Sequence, residues 1–224
     1  MRWRLGHDGW HEAATWPPPG ARELRLYLTG SRATADAEGG SLTSRADGAR
    51  TAVHWTHDPD NLVPSTVTDP FAFLHEFPDE QAVQSRPDVL TFTAEARSHP
   101  LDLAGPVRLR VHAGSTATSM HLHAKLADVA PDGTARMLVR GQAHVQDPDP
   151  GQAVEISLGH TGYRLQPGHR LRVHLACSDY PLYIWHPGTG ENPWHAIQGE
   201  RNEQTLVTGG SGPSHLSITV LGDA

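Results

Sequence analysis

The chain has 224 residues, among them 22 glycines and 18 prolines, a content of helix breakers that excludes a helical bundle in a chain long enough to bury a core without disulfides. Eighteen basic residues against 25 acidic ones give a net charge of −7, which excludes a non-specific nucleic-acid binder and a polybasic membrane-surface protein. No apolar run approaches the roughly 18 residues that cross a bilayer, and Cys177, the single cysteine, excludes an internal disulfide or a cysteine-cluster zinc site.

Weak alternation of apolar and polar residues predicts strands over 24–28 and 52–56. Residues 57–88 are rich in Pro and Asp and predict a long surface loop, with a helical turn over 70–76. A third weak strand is predicted over 89–93. The first strong one is 106–112, with Val107, Leu109 and Val111 inward and Arg108, Arg110 and His112 outward. Over 120–126, Met120, Leu122, Ala124 and Leu126 face in, and His121, His123 and Lys125 face out. A weaker strand over 135–145 follows the turn Pro131-Asp132-Gly133. Over 153–158, Val154, Ile156 and Leu158 alternate with Ala153, Glu155 and Ser157; over 170–175, Leu171, Val173 and Leu175 oppose Arg170, Arg172 and His174. Residues 178–204, with Pro181, Pro187 and Pro193, predict a second long irregular segment. The last strand is 215–220, with Leu216, Ile218 and Val220 inward. Short strands, turn residues between them and almost no helical period predict an antiparallel sandwich or jelly roll.

Nucleophilic hydrolysis needs a serine on a strained strand-to-helix elbow, usually G-x-S-x-G. The nearest approach, Gly209-Gly210-Ser211-Gly212-Pro213, has proline in the fifth position and no helical pattern after it, so a hairpin loop is expected and no catalytic residue is assigned. Cys177 ends an apolar strand and is expected to be a small core residue. Histidine is abundant, with 16 residues. His121 and His123 at i, i+2 could chelate a metal if His112 or His174 supplied a third ligand. A solvent-facing histidine row that holds no metal is the simpler expectation, and no cofactor is expected. Tyr180, Tyr183, Trp185 and Trp194 crowd one loop, where they either form a contact surface or fold back over the core.

An ordered set of motifs runs along the chain: Trp16-Pro-Pro-Pro19, Leu26-Tyr-Leu28, Asp58-Pro59, Val63-Pro64, Arg86-Pro-Asp-Val-Leu-Thr-Phe-Thr93, Leu101-Asp-Leu-Ala-Gly-Pro-Val107, Ala124-Lys-Leu-Ala-Asp-Val-Ala-Pro-Asp-Gly133, Pro167-Gly-His-Arg-Leu-Arg172 and Ser178-Asp-Tyr-Pro181. Together they resemble the C-terminal jelly-roll domain of the X-prolyl dipeptidyl-peptidase and cocaine-esterase-like acyl hydrolases. The pattern differs at Ser119-Met-His-Leu122 and at Ile184-Trp-His-Pro-Gly-Thr-Gly190. The resemblance implies an all-β jelly-roll β-sandwich, galactose-binding-like, as one domain over 1–224. Within it, 1–20 is a lead-in from a preceding hydrolase domain, 57–88 a long loop and 89–224 the main sandwich. It implies a non-catalytic accessory domain that packs on an α/β-hydrolase catalytic domain, in cis or from another chain, with homo-oligomerisation as a further use of its surface. The family's catalytic triad lies in the hydrolase domain and none of it maps here. Tyr180, Tyr183, Trp185 and Trp194 are the candidate binding residues. No nucleic acid or membrane partner is expected, and an N-terminus without an apolar signal segment predicts a cytoplasmic setting. The alternatives are a stand-alone carbohydrate-binding module using the same aromatics, and an autonomous hydrolase with an unrecognised site.

Overall fold

Fifteen residues, Leu101–Ser115, run as one strand through the middle of the sheet in a computed structural model that describes residues 1–5, 9–30, 39–67, 69, 71 and 78–222. In chain order the strands are β1 (Arg2–Arg4), β2 (Trp10–Glu12), β3 (Arg22–Thr29), β4 (Gly40–Thr43), β5 (Thr51–His57), β6 (Leu90–Ala94), β7 (Leu101–Ser115), β8 (Ser119–Val129), β9 (Ala135–Gln146), β10 (Ala153–Leu165), β11 (Arg170–Ala176), β12 (Asn202–Thr208) and β13 (His215–Leu221). Among the described residues one short helix, α1 (Gln81–Gln84), lies between β5 and β6. The strong alternating runs all form strands, each longer than its apolar core because ladder partners extend the pairing beyond it. Strands β4 and β12 lack an alternating signature; β12 begins inside the segment expected to be irregular. The helical turn expected over 70–76 falls, apart from 71, outside the described residues.

β1 and β2 make a small separate hairpin, and the other strands form one continuous ladder in the order β5-β12-β7-β13-β3-β4-β6-β11-β8-β9, with β10 on the free side of β7. The pairings are antiparallel except β4 with β6. The sheet rolls until its far end returns to β10: a Cβ added at Gly141 of β9 would lie 2.0 Å from the Ser157 carbonyl oxygen of β10. This is the all-β jelly-roll architecture, closed over one apolar core.

The predicted inward residues Val107, Leu109, Val111, Leu122, Leu126, Ile156, Leu158, Leu171, Val173, Leu175, Leu216, Ile218 and Val220 all line that core. Period-two geometry delivers this result directly, because alternate side chains of a strand must share a face.

The outer face of β8 and β11 departs from expectation. His123, Lys125 and His174 are buried there, whereas Arg108 and Arg110 on the outward row of β7, and Arg170 at the start of β11, are exposed. The described residues of 58–89 and the segment 177–201 cover this face. Val63, Val83 and Val89 of the first pack with Ala176 of β11 in a second, smaller core. Pro64 bridges to Tyr180, and Ser65 N–H donates to the Tyr180 carbonyl at 2.7 Å, so the two long segments are tied to each other.

Candidate functional site

The site lies where the 177–201 segment folds over the outer ends of β8 and β9. The segment starts from Cys177, whose buried thiol is pushed up to about 12 by desolvation; it is an inert core residue, as expected. Ser178 Oγ accepts from Val63 N–H at 2.8 Å, and Tyr183 N–H donates to the Asp179 carbonyl at 3.0 Å, closing a first turn. Gly188 makes the second turn. Its φ is +79° and a Cβ there would meet the Glu200 carbonyl oxygen at 2.4 Å, so only glycine fits. These turns place Tyr183 and His186 against the sheet.

Tyr183 covers His123, with ring centroids 5.0 Å apart, and the Arg140 guanidinium stands 5.9 Å from the centre of the same ring. Trp185 is half-buried, whereas Tyr180 and Trp194 are exposed, Trp194 at 79%. The four candidate aromatics therefore divide: Tyr183 covers the histidine face, Trp185 is half-buried with its ring beside Gly199, and Tyr180 and Trp194 point to solvent. Among the described residues no ring contact joins Trp194 to the other three. Leu182 and Ile197 of the same segment are also exposed, Ile197 at 92%.

Beneath the segment is a histidine cluster that the alternating pattern does not reveal. His121 of β8 pairs directly with His144 of β9, and their rings stand 5.2 Å apart. His186 comes down from the loop, its ring 4.7 Å from that of His121. His57 closes the end of the row by donating from Nε2 to the His186 carbonyl at 2.8 Å. Burial, followed by repulsion from neighbouring imidazoles, pushes His121 down to about 4 and His186 to about 3; His123 is pushed to about 3 for the same reasons, with Lys125 adding to the repulsion. At neutral pH these rings are uncharged. The expected solvent-facing row of His121 and His123 is thus half-covered at His121 and buried at His123. His112 and His174, the expected third ligands, are not part of the cluster; His144 and His186 are. A signal for His144 existed in the β8–β9 hairpin, but its use required the register.

A second polar group lies deeper under the same cover. Lys125 Nζ donates to Glu80 Oε2 at 2.9 Å and to Asp179 Oδ1 at 3.0 Å, all three side chains being closed to solvent. His123 and His174 line a small cavity beside them. One ammonium between two carboxylates joins β8 to both covering segments, a structural arrangement with no nucleophile in it. Ser211 sits exposed in its glycine-rich loop, and among the described residues no histidine hydrogen-bonds its hydroxyl. His215, nearby, is engaged with the Pro213 carbonyl.

The sequence profile of the X-Pro dipeptidyl-peptidase C-terminal non-catalytic domain matches residues 1–217. The cocaine esterase of Rhodococcus sp. (strain MB1 Bresler) is 29% identical over 237 residues, which cover 97% of this chain and 41% of that protein. The crystal structure of an aminopeptidase from the marine sediment archaeon Thaumarchaeota archaeon matches the fold with a TM-score of 0.84 at 23% identity, over 98% of this chain and 40% of its own. An α-amino acid ester hydrolase matches with a TM-score of 0.79 at 25% identity, over the same shares. The chain spans about two fifths of the length of each of these proteins.

Proposed function

The chain belongs to the family of X-Pro dipeptidyl-peptidase C-terminal non-catalytic domains, and on that premise we propose that it packs on an α/β-hydrolase catalytic domain and helps wall the substrate cleft of a serine hydrolase acting on acyl esters or X-prolyl amides. The observation that carries this reading is the 177–201 segment. Tyr180, Leu182, Trp194 and Ile197 stand exposed on it. A group of large apolar side chains that its own sandwich leaves uncovered is a surface made for contact. Aromatic anchors supply large contact area at low entropic cost, which suits them to the centre of an interface. The hydrolase domain is supplied in cis or by another chain, and self-association is a second use of the same face. No helix among the described residues is long and apolar enough to cross a membrane. A single thiol, kept buried, supports a cytoplasmic setting.

The test is to mix the 224-residue chain with a separately produced α/β-hydrolase catalytic domain of the family and follow association by sedimentation velocity. A complex is expected, together with no turnover of p-nitrophenyl acetate, p-nitrophenyl butyrate or an X-Pro anilide by the chain alone. Turnover by the chain alone that disappears in Ser211→Ala would establish an autonomous hydrolase instead. A tryptophan fluorescence shift on titration with simple glycans, without association, would favour a carbohydrate-binding module.

A further inference from the structure

We propose that His121, His144 and His186 form a binding site for one divalent transition-metal ion of the zinc class, held by three imidazoles with a fourth position open to solvent. The ligand nitrogens of the three already lie within 4.8 Å of one another. A tetrahedral ion with metal–nitrogen bonds of about 2.0–2.1 Å needs them roughly 3.3 Å apart, a closure that side-chain rotations of about 1 Å supply.

The three rings come from three parts of the chain, each held by something other than the ion. The β8–β9 ladder sets His121 directly opposite His144. The Gly188 turn and the bond from His57 to the His186 carbonyl fix the backbone beneath the third ring. His57 is thereby a positioning residue, its Nε2 already engaged. His123 is no ligand, because its ring lies under Tyr183.

The bare nitrogen of His121 points the same way, and His186 needs one exchange of partners. His121 Nδ1 is shielded from solvent and has no hydrogen-bond partner among the described residues, a state that calls for an explanation in a half-covered ring. His186 has a partner on each nitrogen, Ser119 Oγ at 3.0 Å from Nε2 and the Gly188 N–H at 3.2 Å from Nδ1. A ligating imidazole needs one bare nitrogen and one N–H held by an outer partner. Ligation through Nδ1 gives up only the longer of these contacts and keeps Nε2–H donating to Ser119. The donor set selects the metal. Three imidazoles suit zinc, copper(II) or nickel, whereas magnesium and calcium require oxygen ligands. His144 is exposed, so the ion has an entry path and a water can complete the site.

The experiment dialyses the 224-residue chain against zinc chloride, measures retained zinc by elemental analysis and zinc affinity by calorimetry, and records the visible spectrum with cobalt(II) in place of zinc. His144→Ala is the main variant, because an exposed side chain can be removed without risk to the fold. His99→Ala, exposed on the connection after β6, is the control. One equivalent retained by wild type and control is expected, with affinity weakened by about tenfold or more in His144→Ala. The cobalt d–d bands of a four-coordinate site should appear in wild type and vanish in His144→Ala. Substoichiometric retention by wild type, or the same affinity in all three proteins, overturns the proposal.

Discussion

The ammonium of Lys125 lies 2.9 Å from Glu80 Oε2, inside a part of the molecule from which solvent is excluded on every side. Lys125 is the only lysine in the sequence. Its four-carbon stem crosses from β8 to the 58–89 segment, and its remaining donors reach Asp179 on the 177–201 segment. The cover over the outer face is therefore held by charge as well as by the few apolar contacts of Val63, Val83, Val89 and Ala176.

Replacing Lys125 by Met removes the cation and leaves two carboxylates buried without it. Breaking a buried pair from one side costs about 3–5 kcal/mol. Urea denaturation should show a loss of that order, with part of it recovered in Lys125→Met combined with Glu80→Gln. A single variant as stable as wild type would contradict the pairing.

Acid should weaken the fold through His174. Burial first, then Arg172 and Lys125, push this ring down to about 3; Glu80 stands 3.9 Å away and His123 lines the same cavity. The unfolded chain accepts a proton near pH 6.5, and the folded protein refuses it until much lower. Stability from this ring is thus complete above about pH 6.5 and declines as the pH falls toward 3, by about 1.4 kcal/mol per pH unit within that window. Unfolding free energies measured at pH 7, 6 and 5 should fall with that sign, and His174→Gln should reduce the slope by about its own share, the lowered His121, His123 and His186 keeping the rest. A wild-type slope of zero across this range would rule the neutral buried ring out.

Gly141→Ala tests the closure of the roll. The added methyl would lie 2.0 Å from the Ser157 carbonyl oxygen, so β9 and β10 must part locally. Overpacking of this kind costs about 1–3 kcal/mol. An unchanged denaturation midpoint would mean that the two strands do not meet at this point.

Trp194→Ala should separate contact from folding. The side chain is 79% exposed, so the chain's own stability should move by no more than about 0.5 kcal/mol. Association with the hydrolase domain should weaken by about tenfold or more, as expected of an aromatic anchor. Equal affinity for variant and wild type would remove Trp194 from the interface.

The sequence by itself determined an antiparallel sandwich or jelly roll and its apolar inner faces, because a strand's two-residue period writes the face of each residue into the order of residues. It also carried the family resemblance, spread over motifs that are individually modest. It did not show β4 and β12, whose pairing is supplied by neighbours rather than by alternation. It did not show that His123, Lys125 and His174 are buried, because outward faces look alike in sequence whether water or another segment covers them. The histidine cluster depended on one bulge. Continued without interruption, the pairing of Asp128 with Arg136 would set His121 opposite Ala143; the irregularity between Leu126 and Ala127 shifts the register by one and sets it opposite His144. A one-residue shift exchanges every side chain between the faces of a strand. His186 then reached the pair only through a turn that Gly188 permits. A segment distant in sequence had to fold onto the β8–β9 hairpin before the three rings could share a site, and that is a property of the tertiary structure alone.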